Sequence, residues 1–335
     1  MWKSVHCAVQ GVGHRRNGVP CQDKTYQQEE NGVHVIALAD GAGSAKLSHH
    51  GAEVVVRESS AYVLEHFQEW LDCDDGRKPK HALLKMLKTK LEEVAQEYEC
   101  YIRDLASTLL LAAVDREHFI LVHIGDGVIG YLDEGTLKVA SMPDNGEFAN
   151  ETTFVTADGA SSSIHLFKGV LKDKDAFVLM SDGTAQSFYD KRKKTLTPAI
   201  VRLMHRTCLL DRGVMEAKLE DSFSSLISKH TQDDCSIVIL ARPSAVLRPM
   251  AALSFTERQE LYGITRLGRS VRRRVRRYDE ILSIAKKPLS LNQIAKKINL
   301  RSKYAKRHID KLLSLGLLTP KGQFYQKTSM DLIPS

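Results

Sequence analysis

The feature that most constrains this chain is a strand-length apolar run that ends in an acid and a glycine, because it occurs three times. These runs lead into the motifs Asp40-Gly41, Asp126-Gly127 and Asp182-Gly183. A fourth segment reverses the order and places Asp233 and Asp234 before an apolar run. Such runs predict buried strands whose ends carry carboxylates at sharp turns.

Carboxylates at the ends of buried strands repel one another and lose hydration when they meet. They persist together only when a cation neutralises them. A cluster with oxygen ligands alone suits hard ions such as Mg²⁺ or Mn²⁺. An Asp-Gly pair is also a common hairpin turn, and that alternative stays open for any single pair. The four segments taken together favour a metal site.

The acids belong to a larger ordered set that resembles the metal-dependent protein phosphatases of type 2C in their bacterial form. The resemblance extends over residues 1–242. It rests on Gln22-Asp23, Asp40-Gly41-Ala42-Gly43, Ser107-Thr108, Gly125-Asp126-Gly127, Ser181-Asp182-Gly183 and Asp233-Asp234-Cys235-Ser236.

The resemblance implies an α+β fold with four layers, an αββα sandwich. It also implies a serine/threonine phosphoprotein phosphatase, in which two Mn²⁺ or Mg²⁺ ions activate a water that attacks the phosphomonoester. Asp40 would bridge both ions and the Gly41 carbonyl would bind one of them. Asp182 and Asp233 would complete the coordination of the other ion. Asp126 would hold a third, more weakly bound ion together with Asp182, and Asp23 would orient the water.

The chain departs from the family pattern in the loop before Asp23. The family arginine that grips the substrate phosphate stands five residues before the aspartate, where this chain has Gly18. Arg15 or Arg16 would then reach the phosphate instead, since a guanidinium suits phosphate recognition. Gln22 replaces a common glutamate, which predicts a neutral contact with the second ion.

Two further stretches bear on the site. Residues 142–168 are polar and weakly periodic, which predicts a mobile loop at the family's flap position over the substrate entrance. Ala42 stands where some family members have a catalytic histidine. His49 or His50 could instead act as the catalytic acid. Helix-start histidines are often simply exposed, however, so both alternatives stay open.

Charge divides the chain into two parts of opposite sign. Residues 241–335 contain 21 Lys and Arg against 6 Asp and Glu, whereas the preceding residues contain 27 against 35. A division this large predicts two modules with different partners. We therefore expect a phosphatase domain at 1–242, a basic linker at 243–277 and a small domain at 278–330.

Residues 278–330 resemble a winged helix-turn-helix, with a capped helix at 290–298, a third helix at 302–315 and a hairpin at 316–325. Such folds present the third helix to a major groove. Docking of a protein partner stays open beside DNA binding, as does a basic face that is only solvated. The candidate nucleic-acid contacts are Arg272, Arg273, Arg274, Arg301, Lys303, Lys306 and Arg307.

The composition of the chain predicts its cellular compartment. No apolar run approaches the roughly 18 residues that a membrane span requires, and the N-terminal residues lack the apolar core of a secretory signal. The 6 cysteines show no CxxC pair, which predicts reduced residues rather than disulfides or a zinc site. The expected protein is cytoplasmic and acts on a phosphorylated protein, often opposite a partner kinase. The alternative is a weak or inactive phosphatase-like regulator that binds nucleic acid or a protein through its C-terminal domain.

Overall fold

A computed structural model describes residues 2–143, 152–172, 174–243, 247–249, 254–264, 269–327 and 332–334. The chain forms two compact units. The first contains residues 1–207 and 212–242, and the second contains residues 208–211 and 243–335. Within the described ranges, no helix is both long enough and apolar enough to cross a bilayer.

The first unit is built on two antiparallel sheets of five strands each. One sheet has the strand order β1-β12-β9-β6-β7 and the other has the order β2-β3-β4-β5-β8. The strands are β1 Lys3–Val9, β2 Lys24–Glu30, β3 Val33–Ala39, β4 Leu109–Val114, β5 His118–Ile124, β6 Val128–Asp133, β7 Thr136–Ser141, β8 His165–Val170, β9 Lys174–Met180 and β12 Cys235–Ala241.

Strand β3 shows why a continuous apolar run suits this position. Successive side chains of a strand point to opposite faces of its sheet. Ile36 and Leu38 pack into the core between the two sheets. Val35 and Ala37 pack into a second core on the other face. Both faces of the strand are therefore buried, and no position in its centre tolerates a polar residue.

Two long helices cover the outer face of the second sheet. They are α2, Ser48–Asp72, and α3, Arg77–Glu97. Val55, Val63 and Leu87 lie in the same core as the outward side chains of β3. Both helices show apolar residues at helical spacing in the sequence, which is typical of a helix with one buried face.

Shorter elements complete the first unit. Helix α7 packs against β1, on the sheet that α2 and α3 do not cover. Strands β10 and β11 form a separate small hairpin. The remaining elements are α1 Val12–Asn17, α4 Ala160–Ser163, α5 Asp182–Phe188, β10 Tyr189–Asp190, β11 Thr195–Leu196, α6 Ala199–Leu209 and α7 Arg212–Ser225.

Two sequence expectations for the first unit need correction. The glycine-rich segment before Asp23 contains the short helix α1 rather than loop alone. The stretch predicted as a mobile flap contains α4 and β8 in its second half, and β8 pairs along β5. Short elements escape a periodicity test because they hold too few residues to show a period. Residues 144–151 of that stretch lie outside the described residues.

The second unit contains four helices and two small sheets among its described residues. The sheets pair β13 with β17, and β14 with β16 and β15. The elements are β13 Leu247–Pro249, α8 Phe255–Leu261, α9 Arg269–Ile284, β14 Leu289–Ser290, α10 Leu291–Lys297, α11 Ser302–Ser314, β15 Leu318–Lys321, β16 Phe324–Lys327 and β17 Leu332–Pro334.

The predicted basic linker is wrong where it covers α8 and the first half of α9. Val271, Val275 and Tyr278 are buried at helical spacing along α9. The arginines between them hid this apolar pattern in the sequence. The predicted cap of α10 is confirmed, because Ser290 Oγ accepts the Gln293 N–H while the Gln293 side chain accepts the Ser290 N–H.

Candidate active site

The acids that follow separate strands converge in the first unit. Asp40 follows β3, Asp126 lies between β5 and β6, Asp182 opens α5, and Asp233 precedes β12. The pKa of the Asp40 carboxyl is raised well above its usual value, mainly by burial. The negative charges of Asp23, Asp182, Asp233 and Asp126 raise it further. The structure thus brings together the five carboxylates that sequence analysis singled out.

Burial and mutual repulsion raise the pKa of most of these acids. Burial is the main cause that raises the pKa of Asp23 to about 7. Asp182 has a pKa raised to about 6 by burial and by the charges of Asp233 and Asp126. The pKa of Asp233 is also raised, mainly by burial. The cluster therefore holds negative charge only at a cost, which a divalent cation would offset.

The donor atoms fit a hard cation. Both carboxylate oxygens of Asp23, Oδ1 of Asp182 and Oε1 of Gln22 are buried without a hydrogen-bond partner. Unpaired buried oxygens are costly unless a ligand satisfies them. Among the described residues, no three His, Cys, Asp or Glu side chains are already grouped around one point. A complete coordination sphere would therefore also need backbone oxygen and water, as Mg²⁺ and Mn²⁺ sites often do.

Gly41 brings the backbone close to this cluster. It forms an isolated antiparallel bridge with Ser107. A Cβ at this position would lie 2.8 Å from Ser48 Cβ, too close for any side chain. Thr108 fixes the neighbouring Asp40, because its N–H donates to Asp40 O at 2.8 Å and its Oγ1 accepts the Asp40 N–H at 2.9 Å.

Asp234 is a site residue that sequence reasoning passed over in favour of Asp233. Its side chain is fully buried. Its two carboxylate oxygens accept the backbone N–H groups of Gly11 and Gln22, each at 2.6 Å. Asp234 thus ties both ends of the α1 segment to the start of β12. The only signal in the sequence was the doubled acid, which does not say which carboxylate faces inward.

Helix α1 presents different residues to the site than expected. Arg15 and Arg16 are both exposed, and the Arg15 guanidinium donates to Gln10 O at 3.1 Å. A cavity of about 480 Å³ lies beside Asp233, and His14 and Asn17 belong to its lining. Neither arginine lines this cavity. The expectation that one of them reaches the phosphate therefore finds no support in their positions.

A middle part of the stretch predicted as a flap contacts one of the acids. Thr152 Oγ1 donates a hydrogen bond to Asp126 Oδ2 at 2.6 Å. Phe154 packs against Ala42 and Ala45 in a small apolar cluster. This segment, which directly follows the undescribed residues, is thus anchored at the site.

The cysteine beside the site is not a reactive thiolate. Burial, followed by the charge of Asp23, raises the pKa of the Cys21 thiol far above its usual value. A protonated, half-buried thiol is a poor nucleophile. This argues against a redox role for Cys21.

The candidate nucleic-acid residues lie in the second unit. All seven are exposed. Three lie on α9 (Arg272, Arg273, Arg274), three on α11 (Lys303, Lys306, Arg307), and Arg301 precedes α11. Lys306 is engaged by Asp310, with Nζ 2.9 Å from Oδ1. The charge of Arg274 contributes to a lowered pKa of His308, after burial and Arg277, so α9 brings positive charge towards α11.

Known proteins give this arrangement a family. A sequence model of the protein phosphatase 2C family matches residues 10–224. Serine/threonine-protein phosphatase 3 of Escherichia coli (strain K12) is 30% identical over 173 residues, which is 50% of this chain and 67% of that protein.

Solved structures show the same fold. Two crystal structures of variants of a bacterial serine phosphatase match with TM-scores of 0.51 and 0.50, at 17% and 16% sequence identity. Each match covers 72% of this chain and 98% of the other. At this identity the likeness extends to the fold alone, a mixed α/β architecture of phosphatases.

The fold and its buried acids define a phosphatase. The chain belongs to the protein phosphatase 2C family, and it is a serine/threonine phosphatase of that type. Enzymes of this family use Mn²⁺ or Mg²⁺.

Proposed function

We propose that the first unit hydrolyses phosphoserine and phosphothreonine in proteins with the help of two Mn²⁺ or Mg²⁺ ions. The convergence of five carboxylates, two of which (Asp23 and Asp182) have buried oxygens without a partner, carries this proposal. The order of helices, sheet, sheet and helix supports an αββα sandwich as the scaffold. A partner kinase that phosphorylates the same substrate would oppose the enzyme, and a cytoplasmic location stays a prediction.

Each acid has a proposed part in holding the ions. Asp40 would hold both ions, the Gly41 carbonyl would serve one of them, and Asp182 and Asp233 would complete the coordination of the other. Asp126 and Asp182 together suit a third, weaker ion. When bound, the ions supply a water of lowered pKa and positive charge against the phosphoryl oxygens.

Asp23 would act on the water rather than on the phosphate. Its two oxygens are buried. A buried carboxylate at this place could orient a water and accept a proton from it. Ala42 offers no side-chain acid beside the cluster, so the leaving hydroxyl would take its proton from water.

The test replaces one carboxylate of the site at a time with an amide. Asp40→Asn and Asp233→Asn are expected to lower manganese-dependent hydrolysis of p-nitrophenyl phosphate by about 100-fold or more, the scale of losing one electrostatic group at a reacting centre. Asp72→Asn, an exposed acid at the end of α2, is the matched control and should keep full activity. Full activity in either site variant contradicts the assignment.

A second candidate function concerns the second unit, for which we propose a winged helix that binds nucleic acid. Three acids of this unit pair with basic side chains: Asp279 with Arg258, Glu280 with Arg277 and Asp310 with Lys306. For the exposed side chains Arg272, Arg273 and Arg274, no described acid is a partner. Unpaired arginines on one helix suit phosphate contacts.

A salt titration separates this candidate from protein docking. Binding through phosphates predicts that the logarithm of the affinity for a DNA duplex falls linearly with the logarithm of salt concentration. No binding to DNA or RNA at low salt would leave a protein partner as the alternative. A chain that binds nucleic acid but shows no manganese-dependent turnover would instead support the non-catalytic regulator.

A further inference from the structure

A fully buried histidine lies between the two sheets, close to one of the proposed metal ligands. Val122 and Ile124 of β5 pack in the core beneath the long helices, whereas Leu121 packs in the core between the sheets. His123 shares the face of Leu121 and is 0% exposed. A buried imidazole is costly unless its nitrogens are bonded, whereas an apolar side chain would desolvate no polar group here. The contacts of the ring therefore indicate why this place holds a histidine.

Both ring nitrogens of His123 have partners at the end of the fold where the acids meet. Nε2 lies 2.9 Å from Gly125 O, and Nδ1 lies 2.5 Å from Oγ of Ser141, the last residue of β7. A carbonyl oxygen only accepts hydrogen bonds, so Nε2 is the donor of the Gly125 contact. Strand β5 belongs to one sheet and β7 to the other. The ring therefore joins the two sheets.

The Gly125 carbonyl belongs to the turn that carries Asp126 from one sheet to the other. The β5 ladder ends at Ile124 and the β6 ladder begins at Val128, so sheet pairing does not fix the turn between them. Gly125 has a φ of +114°, which favours glycine. A Cβ there would lie 2.4 Å from Thr108 Cγ2, so the turn packs against the residue that fixes the neighbouring acid of the cluster.

Asp126 is held from two sides. Its carboxylate accepts the Thr152 hydroxyl at 2.6 Å, and the backbone directly before it is held by His123. The pKa of Asp182 is raised by burial, by Asp233 and then by the charge of Asp126. Asp126 and Asp182 therefore repel each other, and a shared cation would offset this repulsion.

We propose that His123 is a positioning residue for Asp126: its Nε2–H holds the Gly125 carbonyl and thereby fixes the turn that carries this carboxylate. Asp126 is the acid that would share the weaker ion with Asp182, so this role deepens the proposed phosphatase function and rests on it. His123 acts through the backbone, as the hydrogen-bond partners of metal ligands act through the ligands they orient. Ser141 orients the ring from the other sheet.

The experiment measures Mn²⁺ binding separately from turnover. Calorimetric titration of the full-length protein with Mn²⁺ identifies the weaker site as the binding event that Asp126→Asn removes. His123→Phe keeps a flat ring in the core but loses both hydrogen bonds. We expect it to weaken this event by about 10-fold or more, the scale for losing a partner that orients a metal ligand. His123→Gln, whose Nε2 can still donate to the Gly125 carbonyl, should retain most of the affinity.

Kinetics give a second readout. In His123→Phe the Mn²⁺ concentration for half-maximal hydrolysis of p-nitrophenyl phosphate should rise by a similar factor, while the KM for this substrate at saturating Mn²⁺ should not change. The matched control is His205→Phe, the same exchange at a buried histidine of α6, which should alter neither quantity. Ser141→Ala removes the second partner of the ring and should weaken the same binding event by a smaller factor.

The possible results separate this role from a merely structural one. The role of His123 is refuted if His123→Phe binds Mn²⁺ as the parent does, if His205→Phe loses as much affinity, or if His123→Gln is as weak as the phenylalanine variant. Equal Mn²⁺ binding by the parent and Asp126→Asn also refutes it. If His123→Phe does not fold, unchanged binding in Ser141→Ala refutes it instead. A parent protein that binds Mn²⁺ through Asp126 but hydrolyses no phosphomonoester contradicts the proposed phosphatase function, and the binding data still decide the role of His123.

Discussion

The two units of this protein use charge in opposite ways. The first is acidic, and its important carboxylates are buried at the ends of strands, where they raise one another's pKa. The second is basic, and the arginines of α9 lie on its surface. Buried carboxylates repel one another, and binding of a cation offsets this repulsion. Exposed charge instead attracts a partner of opposite charge without altering the fold. This contrast fits the proposed division, with metal-dependent chemistry in the first unit and recognition in the second.

The largest expected effect concerns the exposed arginines. Arg272→Glu/Arg273→Glu/Arg274→Glu should weaken binding to a DNA duplex by about 100-fold or more at roughly 100 mM salt, because it replaces three phosphate contacts with repulsion. Phosphatase activity should not change. Fluorescence anisotropy and a p-nitrophenyl phosphate assay measure the two effects.

A control with the same charge change lies in the first unit. The exposed turn at Lys191, Arg192 and Lys193 can be reversed to glutamate in the same way. If this variant loses as much affinity as the α9 variant, net charge alone explains the binding and the assignment to α9 is wrong.

A buried acid should matter more for stability than an exposed one. Asp234→Asn leaves one of the two N–H groups from Gly11 and Gln22 facing an amide NH₂, which should cost about 1–3 kcal/mol of unfolding free energy. Asp310→Asn removes only an exposed pair with Lys306 and should cost less than about 1 kcal/mol. Thermal unfolding followed by circular dichroism compares them, and equal losses would erase the contrast between buried and exposed charge.

The pH dependence of stability tests the cluster directly. The folded pKa of Asp23 is about 7 against 3.8 for the free side chain, so the folded chain holds more protons between about pH 4 and pH 7. Its stability in the absence of metal should therefore fall as pH rises through that window. From pH 5 to pH 8 we expect the parent to lose at least about 1 kcal/mol, or roughly 2–4 °C, relative to Asp23→Asn. Calorimetry in the presence of a chelator measures this, and parallel curves for both proteins would refute it.

The smallest expected effect is local and lies in the second unit. Ser290→Ala removes the cap of α10 and should cost about 1 kcal/mol. Hydrogen exchange of the amides of Leu291–Lys297 should speed up accordingly, while Ser314→Ala, at the end of α11, leaves them unchanged. Unaltered exchange in the cap variant would mean that packing rather than capping holds α10.

Secondary structure in the first unit was largely predictable because its signals are local. Strand β3 reads as an apolar run, and α2 and α3 show apolar residues at helical spacing. Helix α9 escaped prediction because arginines surround its buried Val271 and Val275. Helix α1 escaped because six residues are too few to show a period.

The sequence by itself determined the strands, the long helices and the set of acids, because apolar periodicity and Asp-Gly turns act between near neighbours. The tertiary structure alone decided how neighbouring acids such as Asp233 and Asp234 are oriented at the site. Asp234 accepts the Gly11 N–H across 223 residues of chain, and this distant contact ties the start of the α1 segment to the start of β12. Such orientation depends on what packs behind a residue, which no local pattern records.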